Sequence, residues 1–274
     1  MLQPINKNSL TTKIDNLINF YNQNDYLKVI EKTKLLIKEY PDNEQLLSIM
    51  GITLSAMNQY QESIIYFKKS IQLNPNNAKS YFNIGLAYHE LRDFQNAIIC
   101  YQKALKLDPS YFESLFNMGI ANEERKDFKQ AIRCYQNALK INPNNADVYY
   151  NLGNIYYKQS YNFLAIKYFK SAININPHFP ETYYNLGASY ERIKDFFNSL
   201  KYYKLSFEKN PKELKSLEKI RTLSNKLGRN REAILYFNDI LNKIPNSVEV
   251  IYNLAFIYKN DGEYKKSEFY FKKI

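Results

Sequence analysis

Residues 146–179 read ADVYYNLGNIYYKQSYNFLAIKYFKSAININPHF, and their spacing decides the fold. Counting Ala146 as position 1, Tyr149, Leu152, Gly153 and Tyr156 stand at positions 4, 7, 8 and 11. That is the i, i+3, i+4, i+7 spacing of one helix face. Ala165, Phe169 and Ala172, at positions 20, 24 and 27, predict a second helix in the same way. A short turn around Ser160 to Asn162 separates the two. Pro177, at position 32, ends the second helix, because proline has no N–H to give and crowds the preceding turn.

Outward from this stretch, the rest of the chain falls on the same 34-residue grid. Gly51, Gly85, Gly119, Gly153 and Gly187 occupy position 8, and Gly228 and Gly262 fall in the turn, where a left-handed helix end suits glycine. Pro41, Pro75, Pro109, Pro143, Pro177, Pro211 and Pro245 keep the period too. Glycine and proline mark special backbone positions, so their strict recurrence means one structural unit copied head to tail. Glycine inside a helix costs about 1 kcal/mol relative to alanine. Five glycines at one helical position therefore imply close packing, and Gly153 and Ala165 are expected to face each other across the helix pair. A pair this short cannot bury its apolar stripe alone, so the copies must stack.

Tyr149-x2-Leu152-Gly153-x2-Tyr156, Ala165-x3-Phe169 and Pro177 resemble the tetratricopeptide repeat signature, with Tyr where that family often has Trp. The resemblance implies an all-α fold, a right-handed αα-superhelix or solenoid of about eight helix-turn-helix units. The grid places a tail at 1–9 and units at 10–43, 44–77, 78–111, 112–145, 146–179, 180–213 and 214–247, with an incomplete unit at 248–274. The match is strong over 44–213. In the first unit Asn16 and Leu17 replace the Leu-Gly pair, and in the seventh Arg221 takes the small-residue position. Arg221 should either push the helices apart or reach out of the gap. Ile274 falls at position 27, inside a second helix, so the chain is expected to be a fragment or to have its C-terminal face covered by a partner.

Composition narrows the function. A net charge of +11 permits acidic partners, while lysines spread along helices are ordinarily a solvated face. The richness in Lys, Asn, Ile and Tyr reads first as the bias of an AT-rich genome. Cys100 and Cys134 lie 34 residues apart on equivalent, neighbouring helices. Packed helices sit about 8–10 Å apart, too far for a disulfide, and reduced thiols suit a cytoplasmic setting. No secretory signal precedes the first unit, and no stretch approaches the roughly 20 apolar residues of a membrane span. His89 and His178 are almost three repeats apart, and no glycine-rich phosphate loop or paired-carboxylate motif occurs. No catalytic residue, metal site or cofactor is expected, and the chain reads as non-enzymatic.

What remains is a surface. In the related superhelices, positions 5 and 6 of the first helix line a concave groove. Here position 6 holds Asn83, Asn117, Asn151, Asn185 and Asn253, and position 5 holds Phe82, Phe116, Tyr150, Tyr184 and Tyr252. An asparagine amide both donates and accepts, so it can pair with one peptide unit of any sequence. A spacing of about 8–10 Å between successive repeats matches about three residues of extended chain. At about 1 kcal/mol net per hydrogen bond, such a ladder gives micromolar affinity at best. The competing reading is that the asparagines are merely inherited family consensus. They resemble the superhelix of O-linked N-acetylglucosamine transferase, so the substrate-recruiting region of a glycosyltransferase or sulfotransferase is the alternative function. RNA binding is a third, opposed by Glu90, Glu113, Glu123 and Glu124 in the groove of the third and fourth repeats. Family co-chaperones that capture an acidic C-terminus suggest a carboxylate clamp of Asn154, Asn185, Lys215 and Lys219, with Tyr150 where the clamp's first lysine belongs. The expected partner is thus a protein or extended peptide, with nucleic acid and membrane disfavoured.

Overall fold

A computed structural model describes residues 7–274, and every regular element among them is an α-helix. Two compact units divide the chain, residues 1–143 and 144–274. The first contains α1 (Lys7–Asn22), α2 (Tyr26–Glu39), α3 (Glu44–Ala56), α4 (Tyr60–Leu73), α5 (Ala78–Glu90), α6 (Phe94–Leu107), α7 (Phe112–Glu124) and α8 (Phe128–Ile141). The second contains α9 (Ala146–Lys158), α10 (Asn162–Ile175), α11 (Pro180–Arg192), α12 (Phe196–Lys209), α13 (Lys215–Lys226), α14 (Asn230–Lys243), α15 (Val248–Asn260) and α16 (Tyr264–Phe271). Within each unit consecutive helices pack as hairpins, and the hairpins stack on one another. This is an all-α helical-repeat solenoid. Of the tail expected at 1–9, residues 1–6 lie outside the described residues and α1 opens at Lys7.

Local chemistry sets the helix ends. Asn43, Asn77, Asn145 and Ser247 cap α3, α5, α9 and α15 by accepting the backbone N–H groups of Leu46, Ser80, Val148 and Val250. Asp25, Asp93, Asp127 and Asp195 cap α2, α6, α8 and α12 in the same manner. Each such cap is worth about 1 kcal/mol. Around the periodic prolines, Asn74, Asn176 and Asn210 accept from the N–H two residues on, at 3.3, 3.0 and 3.2 Å. Much of the asparagine excess thus has a structural task, which genome composition alone does not supply.

Position 15, the hairpin turn, is left-handed in every repeat. Asn24, Asn58, Arg92, Lys126, Ser160 and Lys194 have φ of 59–64°, and Gly228 and Gly262 have 66° and 82°. Asn24 and Asn58 gain a local bond, their Oδ1 accepting from Tyr26 Oη at 2.8 Å and Tyr60 Oη at 2.7 Å. Serine, lysine and arginine carry the Cβ strain with no such bond at that position. We expect Ser160→Gly to stabilise the protein by about 0.5–1 kcal/mol, the relieved strain exceeding the added entropy of the unfolded chain. An unchanged or lower urea midpoint would refute this.

The helical glycines make room for the aromatic ring at position 24. A Cβ on Gly153 would lie 2.6 Å from the ring of Phe169, at position 24. The same holds for Gly51 against Phe67, Gly85 against Tyr101, Gly119 against Tyr135 and Gly187 against Tyr203, at 2.5–3.0 Å. The nearest occupant of the space left by Gly153 is thus the ring of Phe169, and Ala165, one turn earlier on the same helix, is wholly buried as well. These rings are among the most deeply buried side chains. In the first hairpin the bulk changes sides, with Leu17 at position 8 and Thr33 at position 24, both buried. In the seventh, Arg221 reaches out of the gap. Its Nε donates to Asn253 Oδ1 at 2.9 Å, and its guanidinium lies 5.0 Å from the centre of the Phe256 ring.

Cys100 and Cys134 are unbridged and buried. Burial pushes both thiols up to about 11, which keeps them protonated and unreactive near neutrality. No helix among the described residues is long and apolar enough to cross a membrane.

Candidate functional site

In the second unit α9, α11 and α13 are the first helices of three successive hairpins, and they line two clefts that share Tyr184. One, of about 220 Å³, is bounded by Tyr150, Tyr184, Asn185, Asn210, Glu213 and Lys215 among others. The other, of about 380 Å³, is bounded by Tyr157, Tyr184, Ala188, Glu191, Arg192, Tyr203 and Lys219. Asn185 Nδ2 donates to Asn154 Oδ1 at 2.9 Å and to Tyr150 Oη at 3.3 Å. These bonds fix the amide and leave its Oδ1 as an acceptor. Tyr150, standing where the clamp's first lysine belongs, thus contributes a hydroxyl instead of a charge.

Lys219 has a counter-ion. Its Nζ lies 3.0 Å from Glu191 Oε2, and Tyr203 Oη donates to the same oxygen at 2.8 Å. Burial works against the ammonium of Lys219, but the bond and charge of Glu191 outweigh it and raise its pKa. Burial, with Glu191 adding to it, also raises the Tyr203 phenol, so that hydroxyl stays a donor. The Arg192 guanidinium lies over Tyr157, 3.6 Å from the ring centre, and donates to the Tyr157 carbonyl at 2.6 Å. Lys215 extends into solvent, 77% exposed and 3.9 Å from Glu213. The expected clamp residues are thus gathered around Tyr184, with Lys219 already engaged by a carboxylate of the chain. Glu191, Arg192, Tyr157 and Tyr203 were not anticipated. Continuing the groove stripe one turn beyond position 9 leads to Glu191 and Arg192.

The remaining residues expected to line a groove differ in their freedom. In the first unit Asn83 lies on a cleft of about 330 Å³ with Leu86, Ala87 and Glu90. Asn117 is half-buried and donates to its own helix, to the Glu113 carbonyl at 2.8 Å. In the second unit Asn151 is half-buried. Asn253 is 6% exposed, its Nδ2 held by the Glu249 carbonyl and its Oδ1 by Arg221. The position-5 aromatics lean on the rings that fill the glycine gaps. Phe82 meets Tyr101, Phe116 meets Tyr135, Tyr150 meets Phe169 and Tyr184 meets Tyr203, at 5.1–6.0 Å between ring centres. Tyr252 is 44% exposed and packs on Phe256 at 4.8 Å. Among the described residues, no group of three or more His, Cys, Asp or Glu could hold a metal ion.

Family models described as TPR repeat or tetratricopeptide repeat match residues 53–92 and 123–160, 78–111, 100–133, 146–179 and 248–274, together more than half of the chain. The fold is similar to that of MamA, at 27% identity and a TM-score of 0.58, covering 63% of this chain and 94% of that one. It is similar as well to YrrB, described as a TPR protein with an unusual peptide-binding site (18% identity, TM-score 0.58, 68% and 96% covered). A third likeness is to pilF of Pseudomonas aeruginosa (18%, 0.60, 76% and 94%). At 18% the likeness carries the fold alone. No protein of curated function matches the sequence.

Proposed function

This chain belongs to the tetratricopeptide repeat family, and on that footing we propose that it is a non-enzymatic scaffold that holds an extended peptide segment of a partner protein along its first helices. A role in protein interaction is supported by the repeat fold itself. The observation that carries the finer reading is the pair of clefts meeting at Tyr184. One side chain of the ligand packs on the tyrosine rings on each side, while Asn185 Oδ1 accepts a backbone N–H. A carboxylate of the ligand, including an acidic C-terminus, is drawn to Lys215, Arg192 and Lys219, and competes with Glu191 for the last of these. Glu181, Glu191 and Glu213 on the same clefts oppose a phosphate backbone, so nucleic acid is not the proposed partner. The buried, unpaired thiols suit a cytoplasmic setting.

The test is fluorescence anisotropy with a labelled Ala-Glu repeat peptide carrying a free C-terminal carboxylate, against the same peptide amidated. We expect the free acid to bind more tightly, Lys219→Ala to remove that preference, and Tyr184→Ala to weaken both forms about tenfold. Equal binding of acid and amide would end the carboxylate reading. Binding indifferent to Tyr184→Ala would end the groove reading.

A further inference from the structure

Charge is unevenly shared between the two units. Residues 144–274 hold 21 Lys or Arg against 13 Asp or Glu, a net +8 of the chain's +11. Twelve of those cations lie between Arg192 and Arg231, with only four acidic residues among them. Lys215, Lys219 and Arg221 belong to the first-helix side already described. Others gather on a different face, around α12 and the start of α14.

There a recess of about 310 Å³ is lined by Phe197, Leu200, Lys201, Lys204, Leu205, Glu208 and Arg229, and it shares no residue with the clefts at Tyr184. Phe197 is 59% exposed, a large apolar ring left in water. The cations beside it rest on aromatic faces. Arg229 lies 5.2 Å from the centre of the Phe197 ring, Lys204 4.6 Å from that of Tyr236 and Lys226 3.9 Å from that of Phe196. Such contacts hold a cation in place without neutralising it. Arg229 has a partial counter-ion in Glu232, 3.5 Å away. Among the described residues no carboxylate comes within ion-pairing distance of Lys204 or Lys201. Burial lowers the pKa of half-buried Lys204, and Arg229 adds to it, while the charges of Glu232 and Glu208 work against the shift without reversing it.

We propose that this recess binds a short acidic segment of a partner protein, a carboxylate seated between Lys204 and Arg229 and a neighbouring apolar side chain packed on Phe197 and Leu205. Complementary charge selects the segment, and the exposed ring adds apolar burial at the same place. Glu208 at the recess accepts a backbone N–H of the bound segment. The same glutamate and the concave shape disfavour a flat anionic bilayer, which would press against Glu208 while leaving the recess empty. This second surface is independent of the groove. A chain carrying both would hold two segments at once, with the avidity that linked sites give.

The probe is an end-blocked, fluorescently labelled octapeptide alternating aspartate and leucine. Its blocked C-terminus gives it no terminal carboxylate for the groove. We expect it to bind, the lysine-leucine counterpart not to bind, and affinity to fall at least about tenfold in Lys204→Gln and in Phe197→Ser. In Asn185→Ala, within the groove, the probe still binds. Phe197 is exposed, so its replacement leaves the core intact, and a urea melt confirms folding of both variants. Three results would each overturn the proposal: equal binding of both peptides, unchanged binding in Lys204→Gln and Phe197→Ser, or loss of binding in Asn185→Ala. So would Lys204-dependent capture on phosphatidylserine-containing vesicles by a chain that ignores the peptide.

Discussion

Gly153→Leu is expected to destabilise the protein by about 3 kcal/mol or more, read as a lowered midpoint in urea. Even a Cβ at residue 153 would stand 2.6 Å from the ring of Phe169, which is wholly buried and cannot swing into solvent. Relief requires the ring, or the helix bearing it, to move. The first hairpin shows the alternative solution, a leucine at position 8 with a small residue at position 24, in Leu17 and Thr33. Adding Phe169→Thr to Gly153→Leu should therefore recover part of the loss. The double-mutant cycle should give a favourable coupling of about 1–3 kcal/mol. Asn151→Ala, at a half-buried position, should stay within about 0.5 kcal/mol of the parent. Additive losses in the cycle, or a Gly153→Leu cost as small as that of Asn151→Ala, would mean the ring does not occupy the glycine gap.

The second large effect is expected at Tyr203. Its side chain is wholly buried, packs against Tyr184 at 5.1 Å and gives its hydroxyl to Glu191. Tyr203→Ala should cost about 3–5 kcal/mol, the ordinary penalty for emptying an aromatic site in a core. Tyr203→Phe keeps the ring and should cost only about 1–2 kcal/mol, the share of one hydrogen bond to a charged acceptor that retains Lys219. The two variants also divide stability from binding. In Tyr203→Phe the carboxylate of Glu191 is held by Lys219 alone, so a ligand carboxylate should find that lysine harder to win over. Equal urea midpoints for the two variants would show that the hydroxyl, and not the ring, carries the stability.

The period was legible because glycine and proline report backbone geometry, and backbone geometry recurs with the fold. From Tyr149, Leu152, Gly153 and Tyr156, then Ala165, Phe169 and Ala172, with Pro177 as the stop, the two helices and the turn between them can be placed. Partners were not legible in the same way. That Gly153 and Ala165 are both small does not tell that the ring of Phe169 is the nearest neighbour of the glycine gap. Polar side chains were harder still. Asn185 and Asn253 hold the same place in the repeat, but Asn253 is buried under a guanidinium that exists only because the seventh unit has Arg221. Lys219 is singled out only by the family resemblance, whereas its counter-ion, Glu191, lies 28 residues earlier on another hairpin, outside any local pattern. Asparagine carries two messages at once, since Asn43, Asn77 and Asn145 are caps that composition alone cannot separate from the asparagines proposed for the groove.

Every contact between a helical glycine and its ring joins residues sixteen apart in the chain: 51 with 67, 85 with 101, 119 with 135, 153 with 169, 187 with 203. The deepest packing is therefore made by closing a short loop within one hairpin, a cost in chain entropy that is small and the same each time. Contact order stays low however many copies are joined, which favours rapid folding. Any hairpin can nucleate the array, and its neighbours then add to an existing face. A defect in one ring is confined in the same way, weakening its own hairpin and the two against which that hairpin stacks while more distant copies keep their own short loops closed.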